Sequence, residues 1–223
     1  MKFRMMKTQT KEKYIPALSF DFLTPFYDSA VKLTTREKLF KGKLAEQIEI
    51  NPNGRLLDLA CGTATLTLAL KQKFPQAEIH GLDGDPNILR LARNKTSNNK
   101  AEIIFTEAFS TELPYSDDYF DAIVSSLFFH HLTPENKRKT LLEVQRVLKT
   151  GGTLHIADWG KSSNLLMKLA SMPIQWLDGA TTKDSYAGKL PEMMAEAEFS
   201  NVSETADFNT VFGTIRLHCA EKK

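Results

Sequence analysis

One feature constrains this chain more than any other: between residues 55 and 158, strand-length apolar runs alternate with segments of helical period. Strands separated by helices are the mark of βαβ units and a parallel sheet, because a parallel pair needs a crossover of a dozen or more residues. The first strand is read at Arg55-Leu56-Leu57-Asp58-Leu59-Ala60, after the turn Asn51-Pro52-Asn53-Gly54. A helix carrying Leu66, Leu68, Ala69 and Leu70 follows and stops before Pro75. The second strand is Glu78 to Asp83, and Asp85-Pro86 then opens a helix as an N-cap followed by proline at the first helical position. Strands are expected next at 102–106 and 120–127. Thr133-Pro134 opens another helix, whose apolar positions Leu141, Leu142, Val144 and Leu148 run on until Gly151-Gly152 stops it. A fifth strand is expected at 153–158.

Residues 201–209 and 213–220 read as a strand pair joined tightly at Phe212-Gly213. The expected fold class is therefore α/β: a seven-stranded, mostly parallel, doubly wound sheet with an antiparallel last strand and helices on both faces. Residues 14–50 read as one or two helices with an aromatic cluster at Phe20, Phe22, Phe26 and Tyr27. The expected organisation is a single domain overall: a helical segment at 1–50 covering the site, then a sheet domain at 51–223 with an apolar insertion at 160–190.

A chain of 223 residues has room for little beyond one domain. A net charge of +2 argues against nucleic acid as a partner, since such binding leaves a concentrated basic patch. The densest basic run, Lys137-Arg138-Lys139, lies in a helical pattern and reads as a solvated face. The two cysteines, Cys61 and Cys219, form neither a disulfide framework nor a metal-ligand spacing; no metal is expected and a reducing compartment fits. No run approaches the ~18 apolar residues of a membrane span, and the Lys/Arg-rich start lacks the apolar core of a signal peptide, so a cytoplasmic location is expected.

Ligands of open α/β sheets bind outside the carboxyl ends of the strands. The loop there is Asp58-Leu59-Ala60-Cys61-Gly62-Thr63-Ala64-Thr65. A dinucleotide site wants G-x-G-x-x-G, but only Gly62 fits, with Ala60 and Thr65 at the other two glycine positions. The acid just before the turn, Asp58, suits a ligand with a cationic amine and sulfonium better than a pyrophosphate. Asp83 ends the second strand about 20 residues further on, where a carboxylate accepts ribose hydroxyls.

Together these residues resemble the class I, Rossmann-like S-adenosylmethionine-dependent methyltransferases, and within them the quinone and small-molecule methylases. The resemblance runs in order over roughly residues 54–158: Leu56 to Ala64, Gly81-Leu82-Asp83-Gly84-Asp85-Pro86, Glu107-Ala108-Phe109, Leu113-Pro114, Phe120 to Val124, His130-His131-Leu132 and Arg146 to Gly152. It implies S-adenosyl-L-methionine as cofactor. It implies that Ala60, Cys61, Gly62 and Thr63 face the methionine part, with Asp58 near the cationic amine. It further implies that Asp83 holds the ribose, Gly84, Ala108 and Phe109 border the adenine, and Leu127 lies beneath the transferring methyl. Two departures stand out. Ala60 and Ala64 replace glycines common in the family's first loop, which a methyl group tolerates if the backbone angles are negative there, and Glu107 replaces the usual Asp.

The sulfonium carries the activation, so catalysis is chiefly in-line placement, with a general base needed only for an acceptor that must lose a proton. His130 and His131, after the fourth strand, are the candidates for that base; the alternative is a cap or packing role. His80 and His155 read as buried and satisfied. Residues 164–178 are apolar almost all round, which suits a buried helix, a homodimer interface or a cover over a ligand. Tyr27, Trp159, Met167 and Trp176 are therefore candidate contacts to a small apolar or aromatic acceptor. The rival function is a non-catalytic S-adenosylmethionine-binding or interaction protein of the same fold.

Overall fold

The computed structural model describes residues 36–177 and 183–223, the side chains of residues 170 and 173–177 excepted. Its elements run α1 (Glu37–Glu46), β1 (Arg55–Leu59), α2 (Thr65–Lys73), β2 (Glu78–Asp83), α3 (Pro86–Asn98), β3 (Ile104–Glu107) and β4 (Phe120–Ser126). A 3-10 turn at Phe129–His131 precedes α4 (Pro134–Val147) and β5 (Leu148–Trp159). The chain continues through α5 (Leu165–Leu177), α6 (Lys183–Tyr186), α7 (Leu190–Glu196), β6 (Phe199–Thr210) and β7 (Gly213–Lys222).

The seven strands form one sheet in the order β3-β2-β1-β4-β5-β7-β6. The first five pair in parallel, and β7 runs antiparallel to both β5 and β6. The expected sheet, with its antiparallel final hairpin, is the one observed. Successive residues of each strand serve opposite faces. Leu57, Leu59, Ile123, Leu154 and Ile156 pack with Leu141 and Val144 of α4 and Met193 and Met194 of α7. Leu56, Ala122, Val124 and Leu217 pack with Phe40, Leu44 and Ile48 of the N-terminal segment and with Leu66 and Leu70 of α2. Two apolar cores, one on each face, make the sheet doubly wound.

Local chemistry sets the ends of the elements. Asp85 caps α3 by accepting the Asn87 N–H at 2.8 Å, and Thr133 caps α4 through the Asn136 N–H at 3.2 Å, each with proline in the first turn. Helix α4 ends earlier than its apolar spacing suggests, at Val147, and Leu148 already belongs to β5. The reason is a tight backbone approach: a Cβ at Gly152 would fall 3.0 Å from the Asp121 carbonyl, and Gly151 takes φ +75°, so the chain turns here into the sheet.

The basic run on α4 is a second correction. Lys137 is 2% exposed, against the solvated face expected of it, while Arg138 and Lys139 pair with Glu196 and Glu135 at the surface. Nor are the strand histidines fully satisfied: Nδ1 of His80 and of His155 is buried without a hydrogen-bond partner. Tyr27 and the aromatic cluster around it lie outside the described residues. Among the described residues, no helix is long and apolar enough to cross a membrane.

Candidate active site

The carboxyl ends of β1, β2, β4 and β5 lie side by side at one end of the sheet, and the candidate residues gather there. Asp58, with its own register partner Gly81, sits one residue inside the β1 tip and is 1% exposed. It accepts a 2.6 Å bond from the Thr67 hydroxyl at the start of α2. Burial raises its pKa to about 6, against the opposing effect of the Thr67 bond. It underlies the loop rather than lining an open groove.

The loop above it is strongly bent. Ala60, Gly62 and Ala64 take φ of 59°, 54° and 59°, all in the left-handed region. Negative angles, the condition under which the two alanine methyls are unstrained, are thus not what the loop adopts: it demands glycine-like backbone at all three positions and meets it with glycine at one. Gly62 points a hydrogen where a Cβ would meet nothing within 4 Å, leaving open space over the loop. Cys61 is buried, and burial raises its thiol pKa far above the ordinary range. It faces β2, where a Cβ on Gly81 would lie 3.1 Å from its Sγ.

Asp83, at the β2 tip, ties the two loops together. Its Oδ2 accepts the Gly62 N–H and its Oδ1 the Asp85 N–H, each at 3.0 Å. Burial raises its pKa as well, opposed by those backbone bonds. Beside it, Ala108 donates its N–H to the Asp83 carbonyl at 3.2 Å, and a Cβ on Gly84 would lie 3.3 Å from the Phe109 ring. Phe109 is exposed, with its ring packed against the bare Gly84 backbone. Thr63 is half-buried in the same loop. Leu127, just past β4, is held at φ 54° with its N–H on the Ala157 carbonyl at 2.8 Å.

A second cluster lies at the tips of β4 and β5. His130 Nδ1 is 2.6 Å from Asp158 Oδ1, and the His130 backbone N–H reaches Asp158 Oδ2 at 3.1 Å. The Trp159 N–H adds a 2.7 Å bond to the same carboxylate. Burial alone would raise the Asp158 pKa, but the neighbouring His130 and these bonds outweigh it and hold it below the usual value. An anionic Asp158 fixes the tautomer, with Nδ1 of His130 as donor. The exposed His131 ring lies 3.9 Å from that of His130 at 42°. Desolvation, then the charge of His130, lowers its pKa, so it is neutral at physiological pH.

Tyr186 of α6 stacks on Trp159 at 6.2 Å and 18°, and buried Lys137 places its Nζ 3.2 Å from the Ser185 hydroxyl. Burial lowers the Lys137 pKa, opposed by Asp158 and Asp184. Sequence reasoning missed Lys137, Ser185 and Tyr186. Met167 is half-buried on α5, whereas the side chain of Trp176 lies outside the described residues. Among the described residues, no three His, Cys, Asp or Glu side chains converge as a metal site.

Residues 56–152 match the family model described as "Methyltransferase domain". That stretch, a little under half of the chain, is similar to methyltransferase domains. The chain is 39% identical to the demethylmenaquinone methyltransferase of Thermus thermophilus over 47% of each chain. The counterpart from Lactobacillus johnsonii is 27% identical over 91% of both. The match thus spans about half the length of the more identical relative and nearly all of the more distant one. A solved methyltransferase from Aquifex aeolicus superposes with TM-score 0.64 at 16% identity, covering 88% of this chain and 98% of that one, a likeness of fold.

The Aquifex neighbour is a methyltransferase dependent on S-adenosylmethionine, and the site of this chain can be tested against that group. The open space over Gly62 suits a ligand that lies against bare backbone, and the exposed Phe109 ring offers a flat surface for a base to stack on. The acids also suit a cation, Asp58 beneath the loop and Asp83 at its rim. The left-handed Ala60 and Ala64 are a strain in this cradle, and their methyls do not close the space over Gly62. The residues fit the group.

Proposed function

We propose that this protein transfers a methyl group from S-adenosylmethionine to a small apolar or aromatic acceptor, of which a demethylated quinone is the class its relatives' names suggest. The observation that carries the proposal is the juxtaposition of two sites along one sheet end. The nucleoside cradle at β1 and β2 adjoins a His130–Asp158 pair backed by His131 and the Trp159–Tyr186 stack.

Bound in the cradle, the cofactor supplies an electrophilic methyl whose leaving group is a neutral thioether. Asp83 holds the ribose end, Gly84, Ala108 and Phe109 border the base, and the loop Ala60 to Thr63 receives the methionine end above Asp58. Leu127 closes the floor between the two sites. His131, exposed and neutral, takes the proton that an acceptor hydroxyl loses, whether that oxygen attacks the methyl or, in a quinol, pushes its electrons to a ring carbon that does. His130 is a positioning residue, clamped by Asp158 at two atoms, and braces the His131 ring. Trp159 and Met167 form part of the apolar surround of the acceptor. The protein acts in the cytoplasm on a small molecule, without nucleic acid, as a monomer or a homodimer.

Transfer of a labelled methyl from S-adenosylmethionine to a demethylated naphthoquinol tests this reading. His131→Ala should lower kcat by about 10²- to 10⁴-fold, the span of general-base catalysis, with cofactor affinity unchanged. Asp158→Asn should lower it less and shift the pH profile. Turnover that survives both changes removes the histidines from the chemistry. The strained alanines favour a second reading, a binding protein without turnover, and cofactor binding with no transfer to any quinol would select it.

A further inference from the structure

Helix α5 is amphipathic in the wrong sense for a solvent-facing helix. Leu165, Leu166, Leu169 and Met172 are 72%, 69%, 55% and 57% exposed. They recur at spacings of three and four, so they form one stripe. The opposite side turns Met167, half-buried, and Ser171, buried, toward the protein. A surface helix normally buries its leucines and exposes its serines; this one does the reverse.

Hydrogen bonds tie the segment that leads into the helix to β7. The Gly160 N–H bonds the Thr214 carbonyl at 3.0 Å, the Ser163 N–H bonds the Thr214 hydroxyl at 3.1 Å, and Arg216 Nε donates to the Lys161 carbonyl at 2.7 Å. Asn164 then caps α5 by accepting the Met167 N–H at 2.9 Å. Further along, a Cβ on Gly213 would lie 3.2 Å from Ser171 Cβ, so the β6–β7 turn packs beside the helix. That turn presents Val211, itself 60% exposed, which extends the apolar surface.

Charge selects the occupant. From Gly160 to Leu177 the chain has two lysines, Lys161 and Lys168, and no Asp or Glu, and both lysines are exposed. An apolar stripe with cations beside it is what an interfacial helix offers to an anionic bilayer. The helix also leaves the sheet directly after Trp159, at the end that carries the candidate active site.

We infer that α5 and the β6–β7 turn dock this protein on an anionic lipid surface, with the leucine stripe in the acyl boundary and Lys161 and Lys168 at the headgroups. The inference stands on the exposed stripe and its cations, and does not depend on which acceptor is methylated.

Flotation of the full-length protein with vesicles of phosphatidylcholine plus phosphatidylglycerol, and of phosphatidylcholine alone, tests it without cofactor or acceptor. The protein should float with the mixed vesicles. Leu165→Ser/Leu166→Ser/Leu169→Ser, checked for an unchanged circular dichroism spectrum, should lower partitioning on the order of 100-fold. Lys161→Gln/Lys168→Gln should lower it about fivefold per lysine on the mixed vesicles and leave phosphatidylcholine binding unchanged. Absence of wild-type binding, or equal partitioning of the folded leucine variant, overturns the inference. So does a wild-type dimer that ignores vesicles and becomes monomeric in that variant, which would assign the stripe to a second copy of the chain.

Discussion

Replacing Ala60 with glycine should make this protein more stable, although glycine usually does the opposite. Ala60 holds φ 59° at the turn after β1, and a left-handed conformation costs a non-glycine residue about 1–2 kcal/mol. Glycine removes that cost but gives the unfolded chain more freedom, worth about 0.5–1 kcal/mol. Ala60 is only partly buried, so its methyl group contributes little packing, and the net gain is about 0.5–1 kcal/mol. For a domain of this size that raises Tm by roughly 1–4 °C. Ala64 supplies the control. It has the same φ of 59° but is fully buried, so Ala64→Gly also forfeits about 0.8 kcal/mol of methyl burial and should come out near zero. Thermal melts and urea titrations of both variants, with m-values checked for constancy, read the difference. A less stable Ala60→Gly, or a larger gain from Ala64→Gly than from Ala60→Gly, refutes the reasoning.

Two further substitutions probe the acids. Asp83→Ala removes an acceptor of charge-assisted hydrogen bonds and should weaken S-adenosylmethionine binding by about 1–3 kcal/mol in calorimetry, whereas unchanged affinity in a folded variant takes Asp83 out of the site. Asp58 has a folded pKa of about 6, above its ordinary 3.8, so the folded state holds the proton more tightly than the unfolded chain. Stability from this group is present below the unfolded value and is lost as pH rises through the folded one. Asp58→Asn, able to keep the bond from Thr67, should therefore stabilise the ligand-free protein on the order of 1–3 kcal/mol well above that window. The gain should vanish below it, and urea unfolding on both sides shows whether it does.

The sheet was legible because its strands are local patterns: apolar runs bounded by Pro52, Pro75 and Gly151, with Asp85-Pro86 and Thr133-Pro134 marking helix starts. The hairpin at Phe212-Gly213 was legible for the same reason. The cradle showed through Asp58, Gly62 and Asp83, whose spacing follows from one βα unit. What was hidden depends on partners far along the chain. Lys137 looks like part of a solvated basic run until the fold brings Asp158 and Ser185 to it. The His130–Asp158 pair joins residues on two different strand tips, so only the β4–β5 register reveals it. The left-handed angles at Ala60 and Ala64 were hidden because alanine signals no such geometry; the loop's shape, not the residue, imposes it. The helical character of residues 165–177 was visible in composition, but which side faces out was not, since it follows from hydrogen bonds to Thr214 and Arg216.

The claim that supports the rest is that the β1 and β2 tips form a seat for a cationic nucleoside. Isothermal titration of the purified chain against S-adenosylmethionine and, separately, NAD measures that directly. Saturable heat at one site per chain is expected for the first and none for the second; binding of NAD with S-adenosylmethionine silent would contradict it.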